Sequence, residues 1–258
     1  MGDWIHALWL ANIVLLVVLA AKLVRTRLFL RYKAFFFLVC FLAVRNSVLE
    51  VIASDTKASF WCWLASEPIM VLSFIVAVIE TYALALNHYR ALSTFSSHVL
   101  SWSIVIASVI SVLSIFPDLQ FNAAPEDNVF LLSNVIRRGI YTSLLAFLTL
   151  LLVGITIYPV KMSRNAVVHS ILFSILFFSY AATILAMNFQ GYDFIPSANA
   201  AFAVVASCSF VLWTLLLSPA GETVQRSVRT NLTDEEAARM MKVIQRMNDA
   251  IADTRKRV

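Results

Sequence analysis

Four ionisable residues fall inside long apolar runs: Arg45 and Glu50 in one run, Glu67 and Glu80 in the next. A charge in apolar surroundings is costly unless it is paired, hydrated or put to use, so such residues mark a bundle interior or a pathway. If the two runs are helices joined by a turn near residue 57, positions equidistant from that turn lie at one depth. Arg45 is then level with Glu67, within reach of a guanidinium–carboxylate pair. Glu67 precedes Pro68, whose ring and missing N–H favour a kink one turn back, making this point a hinge candidate. Asn46 and Glu50 share one helix face at i, i+4, as do Trp63 and Glu67. Arg45, Asn46, Glu50, Trp63, Glu67 and Pro68 are therefore the ligand-binding or coupling candidates. With Asn188 and Asn199 near the same end, they describe a polar pocket. The same Arg45–Glu67 pair also suits a purely architectural task, fixing the register of a helix hairpin. Glu80 descends toward Arg31 and Lys33, which predicts an interface ion pair at the opposite end.

Other chemistries lack their residues. Cys40, Cys62 and Cys208 lie in separate apolar runs with no CxxC spacing and no histidine at ligand distance, so they read as core residues. His6, His88, His98 and His169 fall near the ends of runs, where solvated histidines are common, and none forms an HExxH motif. No metal and no cofactor is expected, and no nucleophile–base set argues for an enzyme. Five glycines leave no material for a phosphate-binding loop.

These residues must be positioned by elements suited to an apolar solvent. Of 258 residues, 60% are apolar and only 14% charged, against roughly a quarter charged in soluble domains. A membrane helix needs about 20 mainly apolar residues. Seven stretches qualify, at roughly 4–22, 34–54, 60–86, 98–116, 138–158, 167–188 and 196–217. The reading is an all-α integral membrane bundle of seven transmembrane helices. Lys22, Arg25, Arg27, Arg31 and Lys33 crowd the first connection, Arg90 the third, and Lys161 with Arg164 the fifth. Asp3, Asp55, Asp118, Glu126, Asp127 and Asp193 fall in the alternate ones. Basic connections stay in the cytoplasm, so the N-terminus is expected outside and the C-terminus inside a cell (inner) membrane. The net charge of +5 thus belongs to topology, and no nucleic-acid partner is expected. Arg137 and Arg138 break the pattern at the outer end of the fifth span: either they snorkel outward, or the span begins near Val129.

The chain divides into a transmembrane domain, 1–217, and a cytoplasmic tail, 218–258. Thr233 followed by Asp234, Glu235 and Glu236 forms a capping box, predicting an amphipathic helix over about 233–254. Met240, Ile244, Met247 and Ile251 form its apolar seam, suited to homodimer contact, to a cytoplasmic protein partner, or to the protein's own inner face or the lipid surface.

Arg31-Tyr32-Lys33-Ala34-Phe35-Phe36, then Arg45 and Leu49, then Trp63, Ser66-Glu67-Pro68 and Glu80, resemble a family of uncharacterised bacterial multi-pass membrane proteins of acidobacterial type. The resemblance covers about residues 28–85 and implies a membrane location without an activity. Span count and orientation are also similar to those of microbial rhodopsins and seven-helix receptors. However, residues 196–217 hold no lysine for a retinal, and Asn87-His88-Tyr89-Arg90 is not the receptors' acidic-Arg motif. Two expectations follow for function: a sensor, receptor-like or interaction protein with an outward-facing polar pocket, or a small-molecule or ion transporter. The tail favours the first, and the halves show no visible repeat to favour the second.

Overall fold

The computed structural model describes residues 3–85, 132–133, 136–149, 162–190, 195–223 and 225–226, with positions 239, 242 and 246. Helices dominate these residues: α1 (Asp3–Arg25), α2 (Lys33–Val51), α3 (Thr56–Ala85), α4 (136–149), α5 (Arg164–Gln190), α6 (Ile195–Leu216) and the short α7 (Ala220–Thr223). A single turn of 3-10 helix, Leu28–Leu30, lies between α1 and α2. Two dipeptides, β1 (Met162–Ser163) and β2 (Gln225–Arg226), pair antiparallel.

Five of these helices are long and apolar enough to cross a membrane: His6–Arg25, Lys33–Val51, Thr56–Leu84, Arg164–Thr183 and Ser197–Leu216. They correspond to the first, second, third, sixth and seventh expected spans. The fourth, 98–116, lies outside the described residues, and the fifth, expected over 138–158, is described over 136–149 as α4.

The local reasons are legible. Arg27, with φ 57°, adopts the left-handed conformation that ends α1 and turns the chain back. Asp55 caps α3, its Oδ1 accepting the N–H groups of Lys57 at 3.1 Å and Ala58 at 3.0 Å. Pro196 falls in the first turn of α6, where its missing N–H costs nothing. Pro68 lies inside α3, which nevertheless continues to Ala85.

Helix contacts close into a ring: α1 packs on α2 and α6, α2 on α3, α3 on α5, and α5 on α6. α4 joins through Tyr141, whose ring meets Phe74 at 5.9 Å and Phe177 at 5.7 Å. The interior is filled by Leu16, Leu19, Leu38, Phe74, Phe173, Phe177 and Trp213. The exterior is also apolar, with Val14, Val17, Val44, Leu72, Phe178 and Leu215 exposed. A bundle apolar on both sides, with five helices long and apolar enough to cross a membrane, has the composition of a membrane protein.

At the end of the bundle where Arg31 lies, the structure corrects one expectation. Glu80 forms no ion pair with Arg31 or Lys33. Its carboxylate instead accepts the backbone N–H of Ala34 at 3.0 and 3.1 Å and of Phe35 at 3.1 Å. The first turn of α2 has no side-chain cap of its own, and a carboxylate from α3 satisfies its orphan amides and favours its positive dipole end. Exposed amides attract an acid as effectively as a lysine, and Lys33 remains exposed. Glu80→Ala is expected to lower the unfolding free energy by about 1–2 kcal/mol, with Glu80→Gln recovering part of it, as measured by thermal unfolding in detergent micelles.

Candidate functional site: a buried carboxylate shared by two arginines

Glu67 projects from α3 into the bundle with its side chain 4% exposed. Arg45 on α2 donates from Nη2 to Glu67 Oε2 at 2.8 Å, and Arg137 on α4 donates from Nη1 to Oε1 at 2.8 Å. The two guanidinium side chains are themselves only 8% and 11% exposed. Arg45 is further fixed by donating from Nε to Ser66 Oγ at 2.8 Å, while the Ser66 hydroxyl donates to the Trp63 carbonyl at 2.9 Å. Arg137 lies within cation–π range of Trp63 at 5.5 Å and Tyr180 at 5.1 Å. The Tyr180 ring stands 4.4 Å from Tyr141 and 4.3 Å from Phe202, so α4, α5 and α6 wall the site. Each carboxylate oxygen serves one arginine, and Arg137 Nε, although buried, has no hydrogen-bond partner. Among the described residues two cations face this one anion, which leaves a positive charge without a counter-ion in a low-dielectric interior.

The sequence-derived candidates separate. Arg45, Trp63 and Glu67 converge, with Pro68 exposed one residue beyond. Glu50 does not join them: its Oε1 stands 2.7 Å from His6 Nδ1, tying α2 to α1. Asn46 is half-buried on α2, Asn199 is exposed, and the Asn188 side chain lies outside the described residues. The seam Met240, Ile244, Met247 and Ile251 also lies outside them, whereas Arg239, Lys242 and Arg246 are helical and exposed. Of the two readings of Arg137, outward snorkelling is corrected, because the side chain turns inward to Glu67, while a start of the span near Val129 lies outside the described residues. Its sequence signal was its departure from the charge pattern: an arginine at an acidic end has a specific partner to meet. His169 likewise is fully buried rather than solvated, ringed by Phe35 at 4.5 Å, Tyr32 at 4.6 Å and Trp213 at 6.1 Å. Among the described residues no three His, Cys, Asp or Glu side chains gather as a metal set.

A second polar cluster closes the opposite end. Glu222, in α7, accepts the Tyr32 hydroxyl at 2.6 Å on Oε1, with Arg31 Nε 2.8 Å from Oε2. Asn165, at the start of α5, donates to the same Oε1 and to the Ser218 carbonyl at 2.8 Å. A side chain at Gly221 would collide with the Asn165 amide, so glycine permits this close approach. The first residues of the tail are therefore part of the bundle end. Burial, then the Glu222 hydrogen bond and charge, push the Tyr32 phenol well above its usual range.

Two outcomes test these clusters. Glu67→Ala strands two guanidiniums and is expected to cost about 3–5 kcal/mol, whereas Arg137→Ala leaves a neutral pair and costs less; thermal unfolding gives the order. A raised tyrosine pKa adds stability below the unfolded value of about 10 that is lost as pH rises above it. Tyr32→Phe is accordingly expected to lower stability at pH ~8 by about 1 kcal/mol and to shallow the loss between pH ~10 and ~11. No protein-family model, curated protein or solved structure matches the chain.

Proposed function

We propose that the chain is a receptor-like sensor in a cell (inner) membrane, N-terminus outside, with the Arg45–Glu67–Arg137 triad as its recognition site and the tail as its output. One observation carries this reading: the α2–α3 hairpin holds the triad toward one end and the tail clamp at the other. Tyr32 contacts Glu222 just before α2 begins, and Arg45 lies about 20 Å farther along the same helix. Glu80 binds α3 to the first turn of α2, so the hairpin moves as a unit. A change of charge at Glu67 shifts the balance between two arginines on different helices, and a rigid hairpin delivers that shift to Glu222. The exposed Arg239, Lys242 and Arg246 are available to an acidic cytoplasmic partner or to lipid headgroups.

Transport of a small ion is the second reading, favoured by ionised groups deep in the bundle beside Pro68. Tryptic cleavage of the tail, followed on the full chain in lipid nanodiscs, separates the two. Glu222→Gln is expected to accelerate cleavage by about fivefold or more, and Glu67→Gln is expected to change it comparably from the far end. Folded Glu67→Gln protein whose tail is cut at the unaltered rate would remove the sensing reading and leave transport.

A further inference from the structure

We infer that the triad binds a small organic monocarboxylate, received on the Nε–Nη2 edge of Arg137. This rests on the triad being a recognition site and names what it recognises. A guanidinium offers two bidentate forks: Nη1 with Nη2, and Nε with Nη2. Arg137 gives Nη1 to Glu67, and Nε, on the other edge, is buried without a partner. An orphaned N–H inside a protein loses the hydrogen bond it makes in water, and a charged one loses more. A planar carboxylate offers a guanidinium edge two parallel acceptors, which a single amide carbonyl cannot.

Charge sets the valence of the ligand. Among the described residues Glu67 neutralises one of the two arginines, so a monoanion balances the charge of this set, whereas phosphate, at about −1.5 or beyond at neutral pH, overshoots it in a low-dielectric interior. Geometry then separates monoanions, since a spherical halide cannot address two N–H groups with two oxygens. The rings of Trp63 and Tyr180 beside Arg137 suit the apolar remainder of such an acid better than they suit a hydrated ion.

Glu67 is in this arrangement the resident competitor for the arginines, which yields an unusual expectation. Removing its charge strengthens binding of an external carboxylate instead of abolishing it. The full chain in nanodiscs at fixed ionic strength is titrated with sodium acetate, sodium chloride or sodium phosphate, reading the unfolding midpoint and tryptophan fluorescence. Acetate is expected to raise the midpoint saturably in the native protein, chloride and phosphate to fall well short of it. Glu67→Gln is expected to bind acetate about tenfold more tightly, and Arg137→Lys, which keeps the charge and loses the fork, to bind it at least about tenfold more weakly. Trp63→Phe removes the fluorescence response and keeps the midpoint shift. No saturable acetate effect, an equal response to chloride or phosphate, or weaker binding in Glu67→Gln overturns the inference. If Arg137→Lys does not fold, the comparison of anions on the native protein decides alone. Acetate binding without any change in tail cleavage leaves this inference standing and removes sensing; altered cleavage in Glu67→Gln without acetate binding does the reverse.

Discussion

A carboxylate buried among apolar helices has no water to hydrogen-bond, and Glu67 meets that constraint by accepting one N–H from each of two arginines. The arrangement fixes three helices at once, because Arg45, Glu67 and Arg137 belong to α2, α3 and α4. Ser66 extends the constraint by holding Arg45 Nε and bonding back to its own helix at Trp63. Aromatic packing around Tyr141, Tyr180 and Phe202 follows from where Arg137 must stand to reach Glu67. The two arginine–carboxylate bonds therefore constrain the relative register of these helices, which backbone propensity leaves open.

The opposite end uses carboxylates differently. Glu80 and Glu222 face backbone amides, a phenol, an amide side chain and one exposed guanidinium. Each completes a helix terminus or a turn that its own sequence leaves unsatisfied. Among the described residues buried charge is held in excess at the triad, while at the other end carboxylates close hydrogen bonds between α2, α3, α5 and α7. That asymmetry is the structural ground for assigning recognition to the triad and coupling to the clamp.

Much of the architecture was readable in residue order. Length and hydropathy located five of the seven expected spans among the described residues, because a span must be about 20 apolar residues whatever it packs against. The pairing of Arg45 with Glu67 followed from equal distance to a turn, a purely one-dimensional property of a hairpin. What lay beyond reach involved partners far apart in the chain. Arg137 is 70 residues from Glu67, and nothing local distinguishes an arginine aimed inward from one that snorkels. Glu80 was assigned to the nearest cations because sequence displays side-chain charge and hides the open amides of a helix start. Glu50 was drawn toward the pocket by its spacing from Asn46, yet the rotation of α2 turns it to His6.

The close approach of Gly221 to Asn165 has a consequence for how the chain tolerates change. Any substitution there displaces the amide that holds both Ser218 and Glu222, so a mutation in the short α7 propagates to the starts of α2 and α5. The exit from the last long helix is thereby a bottleneck for variation. Exposed valines on the long helices can drift among aliphatic residues, but this four-residue corner, outside every apolar span, cannot.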